Sequence, residues 1–472
     1  MYLYIFLGGF GAFTPKKNVD ILQNEMAGGL MQLVAYGAQD VFLTGNPKVT
    51  FFQAVYKRHT NFAMENIQQT TNGSVTNSGR VSVTIARNGD LIGDMYVELK
   101  TLGTATMTTR AGDSTLKSTC WAAERAVNQV ELTIGGQRID KHYQRWWRLY
   151  SELYLDETKK AQWAKMTSCP LGTTGGSVFL PLIFFFNRNA GLYLPLIALQ
   201  YHEVRIDFDL SSEFASYLDS GVFTVWGNYV YLDTEERRRF AQKGHEYLIE
   251  QVQHTGNDTV TSAATTQVRL SYNHPVKELV WCFSGSSSAD ANLWNLTTGA
   301  ATSNAVVLEL DTNSISEIAN ANSHSFASIT QANGAPMMLL GNCVSTESNT
   351  SACQWVEEGV GSSTLSVGPL NTFKLILNGQ DRFKSQSGKY FNQVQPYSHH
   401  SGCPTPGIYS YSFALKPEEH QPTGTCNFSR IDNAQVEVAL KTAADNTTMN
   451  MFAVNYNVLR IQSGMGGLAF SN

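Results

Sequence analysis

Residues 65–73 read ENIQQTTNG and residues 250–258 read EQVQHTGND, nearly the same nine letters at an offset of 185. A duplicated domain requires such a resemblance to continue downstream in the same order. VSVTIARNGDLIGDMYVEL is followed in the second copy by TQVRLSYNHPVKELVWCF, with Asn88 and Asn273 still 185 apart. ELTIGGQRID then aligns with KLILNGQDRF, Gln137 against Gln380, at an offset of 243, so 58 residues have entered the second copy. HEVRI aligns with AQVEV, Val204 against Val436, and GNYVYL with VNYNVL, Asn228 against Asn455. Five collinear matches with drifting offsets are what two diverged copies of one fold with unequal loops leave behind.

The length suits this reading, because 472 residues divide into two domains of roughly 200, each large enough to bury its own core. Runs such as VSVTIA, QVELTI, VRIDF, VFTVW, QVRLSY, FKLIL and QVEVAL alternate with a period of two, which sets one face on a core and one on solvent. Gly, Asn, Asp and Pro punctuate them at turn spacing. In the first copy the runs predict eight strands, over 61–70, 81–87, 95–101, 129–134, 177–186, 192–201, 204–210 and 222–232. Helical signal is confined to KHYQRWWRLYSELYL after Asp140 and to residues 156–166. The expected fold is all-β: a double jelly roll of two tandem eight-stranded antiparallel β-sandwiches with short helices in loops. Jelly rolls serve viral capsids, lectins and cupins alike.

The boundaries follow from the same runs. Residues 1–25 are expected to be an N-terminal extension, 26–60 an arm, 61–236 the first jelly roll, 237–246 a linker and 247–472 the second. Met26 opens MAGGLMQLVAYGAQD and reads as a natural start. MYLYIFLGGFGAF is too short to span a bilayer and lacks the basic region of a signal peptide. FLPLIFFFNRNAGLYLPLIALQ, residues 179–200, is long enough, but Asn187, Arg188 and Asn189 near its centre predict two apolar strands joined by a polar turn instead. The 58 added residues fall in a Ser/Thr/Asn/Gly-rich stretch, about 285–370, which must project as a long exposed loop.

Composition excludes several chemistries. A formal charge of −5 gives no basic face for nucleic acid, so no direct nucleic-acid binding is expected. Seven cysteines without a C-x-x-C signal neither zinc nor a disulfide framework; Cys343 and Cys353 either bridge within one loop or stay free. His202-Glu203 and His399-His400 lack partners at metal-site spacing, and no nucleophile, phosphate-loop or paired-carboxylate pattern occurs. Catalytic residues, cofactors and metals are therefore expected to be none, and the chain is expected not to be an enzyme. Of the sequons, Asn295 and Asn349 lie in the projecting loop and are the candidates for glycosylation. Arg237, Arg238 and Arg239 in the linker either pair with acidic surface, bind phosphate or form a solvated face. Trp146 and Trp147 read either as anchors between copies or as core. The same sandwich would also serve a glycan-binding surface protein.

YGAQDVFLTGNPKVTFFQAVYKRHTNFAMENIQQTTNG, ELTIGGQRIDKHYQRWW, LPLIFFFN, LPLIALQYHEV, YLDTEERRRFA, CNFSRIDNA and NYNVLRIQSGMGGLA together resemble the major capsid proteins of nucleocytoplasmic large DNA viruses, nearest those of algal viruses. The resemblance spans nearly all of residues 26–472. It implies a double jelly roll that forms a homotrimer, a pseudo-hexagonal capsomer tiling an icosahedral shell. Implied partners are neighbouring capsomers, penton and minor capsid proteins and a nearby internal viral membrane. The implied location is the virion, with assembly in the host cytoplasm. Two similar domains in each of three chains present six similar edges, which accounts for the duplication.

Overall fold

The computed structural model describes residues 28–35, 37–45, 50–53, 56, 59–102, 121–168, 175–260, 264–284, 368–404, 407–441 and 448–470. The candidate sequons Asn295 and Asn349, the Cys343/Cys353 pair, the first 25 residues and nearly all of the projecting loop lie outside them. The chain divides into two units, Met1–His59 and Thr60–Asn472. In the first, the described residues include two short helices, Gly28–Val34 (α1) and Ala38–Thr44 (α2).

In the second unit the duplication becomes geometry. The first copy's main strands are Phe62–Gln69 (β1), Arg80–Thr84 (β2), Leu91–Thr101 (β3), Val127–Ile134 (β4), Gln137–Tyr143 (β5), Ser177–Pro181 (β6), Val204–Leu210 (β7) and Leu218–Leu232 (β8). Those of the second are His245–Thr259 (β9), Thr266–Leu270 (β10), Pro275–Ser284 (β11), Leu370–Leu377 (β12), Gln380–Asp381 (β13), Ile408–Ser412 (β14), Ala434–Leu440 (β15) and Thr448–Gln462 (β16). The first copy forms sheets ordered β1-β8-β3-β6 and β2-β7-β4-β5, and the second β9-β16-β11-β14 and β10-β15-β12-β13. Adding eight to each label of the first copy gives the second. All these pairings are antiparallel, and each copy is a jelly roll.

The register carries the sequence repeat. Asn66 lies opposite Asn228 on the outer face, whereas the aligned Gln251 and Asn455 lie opposite one another on the core side; keeping the face makes Val252 and Val454, also opposite one another, the structural counterparts, a slip of one residue. Both β4–β5 and β12–β13 close through two-residue hairpins, with Ile134 facing Gln137 and Leu377 facing Gln380. The turn residues Gly135 and Gly136, and Asn378 and Gly379, all have positive φ, the requirement of a tight hairpin that matches strand twist. A second alignment needs correction. Val204 faces Ile134 while Ala434 faces Leu377, so the counterpart of Val204 is Ala434 rather than Val436. A slip of two preserves the sheet face, which is why the apolar pattern did not expose it.

The expected strands over 177–186 and 192–201 are also corrected. β6 ends at Pro181, followed by a short helix Phe185–Arg188, a 3-10 turn Ala190–Leu192 and a two-residue strand Leu194–Pro195. Prolines at 181 and 195 cannot donate to a ladder. The Asn187 side chain donates to the Gly93 carbonyl and accepts from the Phe184 amide, fixing the helix where the alternation had suggested a strand. No helix among the described residues is long and apolar enough to cross a membrane. The predicted helices form as Gln144–Leu153 (α3) and Glu157–Thr167 (α4), the latter capped by Asp156.

Candidate assembly surface

The two jelly rolls meet along a seam that begins with the two tryptophans. Trp147 is fully buried, and its indole N–H donates to the Pro181 carbonyl inside the first copy. Trp146 is buried with its ring 5.8 Å from Phe452 of β16, and Tyr143 lies 4.9 Å from His254 of β9. Both indoles are therefore packed within one chain, as the core alternative of the two expected readings has it. A stretch of alternating W, Y and L on one helix face could not distinguish an internal partner from an external one.

The seam leaves a signature in the strands. In β11, Leu279, Trp281 and Phe283 point into the second copy's core, while Val280 and Cys282 join the core cluster of the first. Phe452 and Val454 of β16 and Ile408 of β14 join that first cluster as well. The β9-β16-β11-β14 sheet is thus covered on both faces: by its own jelly roll inside, and outside by residues preceding and within α3. Nine consecutive residues of β11 are buried as a result.

Charges cross the same seam. Arg188, at the end of the Phe185–Arg188 helix, lies 2.9 Å from the Glu250 carboxylate of β9, and Lys277 of β11 lies 2.8 Å from its other oxygen. Burial alone would raise the Glu250 carboxyl, but Arg188 and Lys277 hold it below its ordinary value. Lys277 is fully buried and also donates to the Pro417 carbonyl; burial pushes its ammonium down to about 8 even with Glu250 beside it. His400 sits 3.1 Å from buried Glu278 and 3.4 Å from Glu418. Burial disfavours the imidazolium, but these two carboxylates outweigh it and raise His400 to about 9. Close by, Gly402 donates to the Leu153 carbonyl and Lys160 to that of Cys403. A Cβ at Gly402 would stand 2.4 Å from the Glu152 carbonyl oxygen, so this approach of the two copies requires glycine.

The linker forms a helix, Thr234–Gln242 (α5), with Glu235 and Glu236 in its first turn and Arg239 in its last, the arrangement its dipole favours. The three arginines separate. Arg237 lies 2.8 Å from buried Asp90, whose other oxygen accepts from the Leu232 amide, so it ties the helix to the first jelly roll. Arg238 meets Glu235 of its own helix at 3.4 Å in an exposed pair. Arg239 is exposed and lines a cleft with Tyr193, Phe240 and Lys243.

The seam residues Arg188, Glu250, Lys277, Glu278, His400 and Glu418 were not singled out by sequence reasoning. Arg188 stood out as a charge within an apolar run and His400 as half of a His pair, but neither pattern names a partner far along the chain.

Comparison with known proteins agrees with this architecture. Residues 50–233 match the family described as major capsid protein N-terminus, and residues 236–467 match large eukaryotic DNA virus major capsid protein. A major capsid protein of Paramecium bursaria Chlorella virus 1 is 43% identical across 95% of this chain and all of its own length. That of Pyramimonas orientalis virus is 41% identical with the same coverage. A solved structure of the Chlorella virus protein VP54 superposes with a TM-score of 0.69 at 38% identity, covering 90% of this chain and 100% of that one. The Faustovirus major capsid protein, at 13% identity and a TM-score of 0.60, shares the fold. The glycan-binding alternative finds no support among these matches.

Proposed function

We propose, since this chain belongs to the major capsid proteins of large eukaryotic DNA viruses, that three copies close into a pseudo-hexagonal capsomer tiling an icosahedral shell. The observation that carries this reading is the repetition of one jelly-roll strand order in both halves of the chain. A ring of three such chains presents six alike edges and packs in a hexagonal lattice. On this reading, 61–236 and 247–472 are the two edges' domains, joined by 237–246, with 26–60 as an arm and 1–25 as an extension before it.

The shell's further contacts follow the same logic. Neighbouring capsomers, penton proteins and minor capsid proteins are the partners, an internal viral membrane lies nearby, and assembly takes place in the host cytoplasm. The role is structural rather than enzymatic. Asn295 and Asn349 in the projecting loop are the asparagines proposed to carry sugar, and Arg238 and Arg239 are the linker arginines left at the surface for contacts between capsomers. Electron microscopy of the purified native protein tests the proposal: three-fold particles with a hexagonal outline support it, and isolated two-lobed particles at every concentration overturn it.

A further inference from the structure

The contact between the two jelly rolls has an unused half at each end of the chain. Within the chain, residues of the segment between β5 and β6 cover the outer face of β9-β16-β11-β14, with Trp146 against Phe452. The equivalent sheet of the first copy, β1-β8-β3-β6, has no such cover among the described residues. Alternation sets Phe62, Met64 and Asn66 on one face of β1. The Asn66 amide donates across that face to the Tyr96 hydroxyl at 2.7 Å, so all belong to the outer surface. Phe62 is 60% and Met64 51% exposed. Half-buried Tyr96 and Phe179 pack edge to face beside them.

The equivalent covering segment of the second copy lies between β13 and β14. It contains a π-helical turn, Tyr390–Val394, that runs into the helix Gln395–His399 (α6). Its inner side is anchored: Phe391 is fully buried, and the Asn392 side chain donates to the Ile408 carbonyl. Its outer side carries Val394, 48% exposed, and Tyr397, 90% exposed, three residues apart on one helical face.

We propose that Val394 and Tyr397 of one copy dock on the Phe62 and Met64 face of a second copy, repeating between chains the contact that joins the two jelly rolls within one. The inference rests on the trimeric capsomer proposed above and names its adhesive surface. The occupant is a second copy because each surface is the counterpart of one that the duplicated fold already fills internally. Such a head-to-tail contact joins two different patches, and it closes only as a ring. Exposed aromatic and long apolar side chains are the residue types that concentrate binding energy in interfaces.

The test uses full-length protein with the variants Met64→Asp and Tyr397→Asp, its mass followed by light scattering over a dilution series. Both side chains are exposed, so each variant should keep the wild-type melting temperature when dissociated. Each should weaken the trimer by on the order of tenfold or more. A wild-type trimer whose dissociation neither variant changes overturns the docking surface while leaving the trimer intact. A wild-type protein that is monomeric at every concentration overturns the trimer and this surface together.

Discussion

The Arg188 guanidinium lies 2.9 Å from the Glu250 carboxylate, one group from each jelly roll, with buried Lys277 closing on the same carboxylate from the other side. Glu250 thus neutralises two cations at a place where water cannot. Replacing it by Gln keeps the shape and removes the charge. Breaking a buried pair by deleting one partner costs roughly 3–5 kcal/mol, because the remaining charge is left uncompensated. Glu250→Gln should lower the urea midpoint of the isolated chain accordingly; an unchanged midpoint would show that the seam charges are not coupled.

His400, in the second jelly roll with its ring 5.3 Å from Tyr154 of the first, makes that side of the seam sensitive to pH. Its folded-state value, about 9, exceeds the ordinary imidazole value of 6.5 because Glu278 and Glu418 favour the imidazolium more than burial disfavours it. A group raised in this way contributes stability that is fully present below about 6.5 and is lost as pH rises through 9. Lys277, lowered to about 8, acts with the opposite sign above that pH, so total stability mixes the two. The difference between wild type and His400→Gln isolates the histidine. In melting temperature that difference should be largest near pH 6 and shrink toward pH 9 and above.

Trp146 distinguishes core from interface. With its ring packed on Phe452 inside one chain, Trp146→Ala should cost roughly 3–5 kcal/mol of the fold's own stability through the cavity it leaves. Calorimetry of dissociated protein reads this directly, and a melting temperature equal to wild type would return Trp146 to the intermolecular surface.

The linker arginines should behave unequally. Arg237→Ala strands the buried Asp90 carboxylate and should destabilise by roughly 1–3 kcal/mol. Arg238→Ala removes only an exposed pair with Glu235 and should stay within about 0.5 kcal/mol of wild type. Urea denaturation of the two variants side by side checks the contrast.

Much of this fold was readable because β-strands write their environment locally. The matched nonapeptides became β1 and β9, and the GGQ and NGQ turns became equivalent hairpins, since period and turn chemistry depend on neighbours in sequence. The stretch 179–200 misled because apolar content alone does not separate a strand from a buried helical turn. Prolines 181 and 195, not hydropathy, decide where its ladders stop. The seam was hidden for a different reason. Trp146 and Phe452, or Arg188 and Glu250, are joined only by the packing of one copy on the other, and no local pattern encodes that. The continuous burial of β11 was its one trace, in the unbroken apolar run LVWCF.

A duplicated jelly roll of this kind serves to build a three-chain ring. The most direct measurement is the mass of the purified native protein in solution by light scattering. A three-chain ring gives a species near three times the 52.1 kDa chain; a stable 52.1 kDa monomer at every concentration rules that ring out.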